Sequence, residues 1–128
     1  MIGSNDIHRL GDEELMELLA DGDPRAFEAI YDRHGGPAFS LAYRVVGTRA
    51  AAEDIVQEAF LAIWRSADGY RRERAKPSTW ILTLVHRRAV DLVRREDLRR
   101  AEQLGVPLGT IKSRMFAGLT RLRELVPE

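Results

Sequence analysis

The sequence predicts an all-α protein: a helical bundle followed by one further C-terminal helix. Three observations carry that prediction. Nearly every segment repeats its apolar residues at three- and four-residue spacing, the period of a helix with one buried face. Capping residues stand before these segments and glycines after them. No segment alternates apolar and polar residues as a half-buried strand does.

The elements follow in order. Residues 1–11 read as an N-terminal tail. Asp12 is placed to cap a helix over residues 13–20, with Leu15, Leu18 and Leu19 on one face and Gly22 after its end. Asp23-Pro24 pairs a cap with proline at the first helical position, and Phe27, Ile30 and Tyr31 continue the helix. Gly35-Gly36 is expected to end it, and Pro37 to open another carrying Phe39, Ala42, Tyr43 and Val46 up to Gly47. Thr48 caps the clearest helix, whose buried stripe is Ile55, Val56, Ala59, Phe60, Ile63 and Trp64. A loop rich in Gly, Arg and Lys spans residues 66–77, and a long basic helix runs from about Ser78 past Arg95. In the final stretch, LGVPLGTIKSRM reads as a tight turn and the start of a helix, with Val106, Ile111, Met115, Leu119 and Leu122 as its apolar stripe.

Composition narrows the function classes. At 128 residues the chain makes one ordinary domain with a short appendage. It has no cysteine, which excludes disulfides and thiolate metal sites and suits a cytoplasmic protein. Neither a membrane-spanning run nor a signal-peptide pattern is present. The formal net charge of zero hides a split. Residues 1–64 carry 5 Lys/Arg against 12 Asp/Glu, a net of −7, and residues 65–128 carry 15 against 8, a net of +7. The basic half suits a polyanion, the acidic half a different partner. There is no glycine-rich phosphate loop, no His-x-x-x-His pair and no nucleophile elbow, so the expected role is not enzymatic and needs no metal or cofactor. His8, His34 and His86 read as separate surface or capping residues.

Three constellations remain. On the Thr48-capped helix, Asp54, Gln57, Glu58, Leu61 and Arg65 share the face opposite the buried stripe. A solvated face usually mixes Lys with Glu, whereas this strip has acids, an amide, a leucine and no lysine, and it suits docking to a basic partner. On the long basic helix, Trp80, Ile81, Leu84, Val85, Ala89, Leu92 and Val93 form the core side. Thr83, His86, Arg87 and Arg94 share another side, with Val90 among them. Basic residues beside aromatics suit single-stranded nucleic acid, with Tyr70 and Trp80 as candidate stacking platforms and also as candidate core residues. Finally, Thr110, Lys112, Ser113 and Arg114 stand where a recognition helix makes base and phosphate contacts, although the same pattern fits an amphipathic helix packing on a neighbour.

Taken together, these segments resemble a bacterial sigma factor of the extracytoplasmic-function (ECF) class. GDPRAFEAIYDRH, AEDIVQEAFLAIW, the Tyr70 loop and STWILTLVHRRAVDLVRR, in that order, resemble region 2 over residues 12–97. The closing LGVPLGTIKSRMFAGLTRLREL resembles the end of region 4, which reads the −35 element, leaving 98–106 as a short connection and 107–128 as a remnant. The resemblance implies that Asp54, Gln57, Glu58 and Leu61 grip the clamp coiled coil of the RNA polymerase β′ subunit. It implies that the loop over residues 67–76, with Tyr70, Arg71, Arg72 and Lys76, captures a flipped base of the promoter −10 element. It places Trp80, His86, Arg87, Arg88 and Arg94 on the −10 recognition and melting helix. Promoter DNA and core polymerase would then be the partners, with an anti-sigma protein as a further one in the loose sense that the family usually has such a partner.

The C-terminal part departs from the family pattern. Only eight residues, 96–103, separate Arg95 from Leu104, too few for a linker and the earlier helices of region 4. The chain reads as internally shortened, keeping a recognition helix without its scaffold, so −35 reading should be lost or weakened. Its apolar stripe is expected to fold back on the bundle or to mediate self-association. Three roles share these surfaces: an initiating sigma factor blind to the −35 element, a decoy that occupies polymerase or an anti-sigma protein, and a free-standing helix-turn-helix regulator. The last has no use for the acidic strip.

Overall fold

The computed structural model describes residues 4–105. The expected recognition helix over 107–128, with Thr110, Lys112, Ser113 and Arg114, lies outside the described residues. The described elements are α1 (Ser4–Ile7), α2 (Asp12–Ala20), α3 (Pro24–Val46), α4 (Arg49–Ser66), a 3₁₀ turn (Ala67–Gly69) and α5 (Pro77–Leu104), with no strand among them. The fold class is all-α, as the apolar spacing indicates.

Helix α3 is the centre of the bundle, packing against α5, α4 and α2, while α4 and α5 also pack on each other. The interfaces combine large and small side chains. Phe60, Leu15, Met16, Leu19, Ile30, Ile63, Ile81 and Val85 are almost fully buried. Ala26, Ala29, Ala38, Ala42, Ala52, Ala59 and Ala89 are equally inaccessible, and their short side chains let the helix axes approach closely. Aromatic edges tie α3 to α4, with Phe27 5.3 Å from Trp64 and Tyr31 5.0 Å from Phe60 between ring centroids.

Helix α3 corrects the sequence reading. Gly35-Gly36 does not end a helix and Pro37 does not start one; both lie inside one 23-residue helix, about 35 Å long. Proline removes one intrahelical hydrogen bond and crowds the preceding turn. It also pushes the residue before it out of helical conformation, chiefly through that residue's Cβ. Here that residue is Gly36, which has none. Buried side chains on both sides, Ile30 and His34 before, Ala38, Leu41 and Ala42 after, hold the two halves in one line. Gly36→Ala, worth about 1 kcal/mol in an ordinary exposed helix interior, should therefore gain little here because the new Cβ meets the Pro37 ring. In a Pro37→Ala background the same change recovers its full gain. Urea unfolding of the four proteins checks this, and equal gains in both backgrounds contradict it.

The caps also shift. Asp23 accepts from the Arg25 amide at 2.9 Å and Thr48 from the Ala51 amide at 3.3 Å, as the sequence indicates. At α2 the cap position belongs to Gly11, whose amide donates to Glu14 Oε1 at 3.5 Å. Asp12 instead reaches across to α3, pairing with Arg33 at 3.1 Å and with His34 Nε2 at 3.0 Å. His34 is therefore a buried residue bound to a carboxylate, not a surface or capping histidine. Arg33 also donates to the His8 carbonyl at 3.0 Å, and Ile7 of α1 enters the core. The segment read as a tail thus contributes a buried helical turn. At the other end α5 continues through Leu104 and closes on Gly105 in the left-handed conformation, φ 66°. Residues 98–104 of the stretch read as a connection are the last turns of α5.

Candidate polymerase and nucleic-acid surfaces

The strip on α4 is built by simple helical arithmetic. Its buried side, Ala52, Ile55, Val56, Ala59, Phe60 and Ile63, faces α3 and α5. That leaves Asp54, Gln57, Glu58 and Leu61 exposed together, with Leu61 at 51%. A leucine that open beside carboxylates and an amide gives the strip an apolar end. Trp64, read as part of the buried stripe, sits at the margin of the core and is 37% exposed. It borders the strip one turn beyond Leu61, with exposed Tyr31 of α3 nearby through Phe27 and Phe60.

The basic face of α5 is narrower than the sequence suggests. Arg87 and Arg94 are exposed. Val90 between them is buried, His86 and Thr83 are half-buried, and the Thr83 hydroxyl donates to the Thr79 carbonyl at 2.7 Å. The reason is that α5 packs against both α3 and α4, so its buried arc is wider than one stripe. Arg88 points toward α4, where its guanidinium lies 3.6 Å from Glu58. The two expected surfaces therefore meet at an ion pair, above a shallow groove lined by Asp91, Arg94, Arg95 and Leu98.

The loop after α4 is braced internally. The Tyr70 hydroxyl donates to the Ala75 carbonyl at 2.7 Å, and its ring meets Trp80 edge-on at 5.5 Å. Both rings pack partly against the core. Arg71 donates to the carbonyls of Asp68 and Tyr70 at 2.8 and 3.0 Å. Arg72 pairs with Glu13 of α2 at 2.8 Å, while Lys76 is exposed at the cap of α5. Tyr70 and Trp80 thus shape the loop, and its cations line the outer surface. Burial, and then the Glu13 carboxylate, push the Tyr70 hydroxyl above its usual range. A raised acid pKa means that the folded state holds the proton more tightly. The contribution is present below the unfolded value near 10 and is lost as pH rises through the folded one. Tyr70 should therefore ionise above the usual tyrosine range, and stability should fall above pH 10. Absorbance titration of the protein and of Tyr70→Phe checks this; a wild-type curve with a single early transition contradicts it.

Comparison with known proteins fits this geometry. Residues 30–99, more than half of the chain, match the family model for sigma-70 region 2. The chain belongs to the sigma-70 region 2 family. The match runs from the second turn of α3 to near the end of α5, so the region 2 segment contains the α4 strip, the loop and the basic face. Helix α2 lies before it. Among curated relatives, the ECF RNA polymerase sigma factor SigK of Mycobacterium sp. (strain KMS) is 40% identical over 83 residues, covering 65% of this chain and 43% of that protein. SigK of Mycolicibacterium vanbaalenii is 38% identical over 84 residues, and SigK of Mycobacterium tuberculosis (strain ATCC 25177 / H37Ra) is 34% identical over 84. The matched stretch covers 43% and 45% of those two proteins, so the chain spans less than half the length of these relatives. They carry the resemblance to the ECF class. Among the described residues, no helix of the region 2 bundle is long and apolar enough to cross a membrane.

Proposed function

We propose that this chain docks on core RNA polymerase through the exposed strip of α4 and holds the melted −10 element of a promoter against the loop and α5. The observation that carries the reading is the strip itself. Asp54, Gln57, Glu58 and Leu61 are presented together on a rigid helix, inside the segment that matches region 2. The β′ clamp coiled coil is the polymerase surface proposed to receive them. Arg87 and Arg94, with the loop cations Arg71, Arg72 and Lys76, are the groups proposed to hold the strand's phosphates. The proposed role has no bond chemistry: the protein selects and holds DNA while polymerase catalyses.

We also propose that −35 reading is lost or badly weakened. Residues 96–103 are the continuation of α5 up to Leu104, which leaves no chain there for a linker and a helix-turn-helix scaffold. An anti-sigma protein covering the α4 strip is a further proposed partner, and the cytoplasm the proposed location.

Titration of the fluorescently labelled chain onto core RNA polymerase, with and without a pre-melted −10 strand, tests the reading. Binding that tightens with the strand is the expected result. Binding indifferent to DNA would replace it with a polymerase decoy. No binding to polymerase would overturn it.

A further inference from the structure

The sequence places Glu13 and Arg72 fifty-nine positions apart, on elements with different expected roles, yet their side chains meet at 2.8 Å. A shallow groove separates α2 from the loop after α4. Glu14 and Glu17 line it on the α2 side, Lys76 and Ser78 on the other. The loop's arginines are treated differently. Arg71 donates to main-chain carbonyls and keeps its positive charge unneutralised by those bonds. Arg72 has a carboxylate as partner, and the side chains of Arg72 and Glu13 are 60% and 44% exposed.

We propose that Glu13 is an intramolecular competitor for nucleic-acid phosphate at Arg72, so that α2 restrains the affinity of the loop. A phosphate oxygen offers a guanidinium the same charge and the same hydrogen-bonding geometry as a carboxylate oxygen. A strand reaching the loop must therefore displace Glu13 before it gains Arg72. Because both partners are open to solvent, the pair is weak and exchange is easy; the device moderates binding and does not block it. The acids of Glu14 and Glu17 add a negative field on the same side, which turns a strand's backbone away from α2 and toward α5. Helix α2 lies before the segment matched by the region 2 model, so this restraint comes from a part of the chain outside that match.

This inference rests on the nucleic-acid reading above. The probe is a short fluorescein-labelled single-stranded DNA of mixed sequence, titrated with the full chain by anisotropy at several salt concentrations. Glu13→Gln keeps the side-chain size, and its circular dichroism should match wild type. It should bind about two- to five-fold more tightly, the range open to an exposed ion pair, with a log-log salt slope steeper by about 0.7 as Arg72 gains a phosphate. Glu14→Gln, which removes the same charge from the same groove, should have a smaller effect and no change in slope. In an Arg72→Ala background the Glu13→Gln gain should vanish. A gain that persists without Arg72, or no gain at all, overturns the proposal while leaving the nucleic-acid reading intact. Failure of both wild type and Glu13→Gln to bind the strand overturns the two together.

Discussion

Asp54→Lys combined with Gln57→Ala lowers the affinity of the chain for core RNA polymerase by about two orders of magnitude or more, while its helical content and unfolding midpoint stay at wild-type values. The size follows from the position of these residues. They lie two turns and one turn before Leu61 on the exposed strip, and a hot-spot residue of an interface costs about 2 kcal/mol or more when removed. Reversing a charge adds repulsion to the loss of attraction if the partner is basic. The fold tolerates the change because both side chains project from the solvent face of α4, opposite Ile55, Ala59 and Ile63. Pull-down and fluorescence titration read the affinity, and thermal unfolding reads the fold. Unchanged affinity removes the strip from the interface.

Arg87→Gln with Arg94→Gln weakens binding to single-stranded DNA by about an order of magnitude at low salt. It also flattens the salt dependence, by about 0.7 in log-log slope for each phosphate no longer neutralised. The two arginines are seven residues apart on one exposed face of α5, about 10 Å along the axis, and they follow a backbone rather than pinch a single phosphate. Arg88→Gln should have a smaller effect on DNA, because that guanidinium lies at 3.6 Å from Glu58 on the α4 side. Anisotropy over a salt series separates the cases. A double variant with the wild-type slope takes Arg87 and Arg94 out of the DNA surface.

The helical bundle is legible because its signals are local. The stripe Ile55, Val56, Ala59, Phe60 and Ile63 declares both the helix and its buried face, and the exposed strip follows by subtraction. Caps at Asp23 and Thr48 are equally local. Pro37 misleads for a physical reason. Its effect on a helix depends on the residue before it, and a glycine there reads as a second breaker when it relieves the first. Trp64 and Val90 are misplaced by periodicity because a stripe has an edge, and where that edge falls depends on where the neighbouring helices sit. Helices α3 and α4 both pack on α5, and Val90 is covered; α4 leaves Trp64 partly open at the margin of its core face.

What the sequence hides is long-range. Asp12 reads as a cap until α3 brings Arg33 and His34 within 3.1 Å of it. Glu13 reads as a first-turn acid until the loop places Arg72 against it. No periodicity encodes such pairs; each depends on the whole bundle having formed. The loop shares this difficulty. Tyr70 and Trp80 suggest stacking platforms from residue type alone, and the hydrogen bond from Tyr70 to the Ala75 carbonyl gives Tyr70 a structural task as well.

The central claim is that the exposed strip of α4 is the surface that meets polymerase. A photoreactive benzophenone side chain installed at position 61, in the chain bound to core RNA polymerase, tests it most directly. Mass spectrometry of the crosslinked peptides should find the β′ clamp joined to residue 61. The same group at exposed Arg44 of α3 should leave β′ uncrosslinked. Crosslinks from position 44 and none from position 61, with binding intact, would contradict the account.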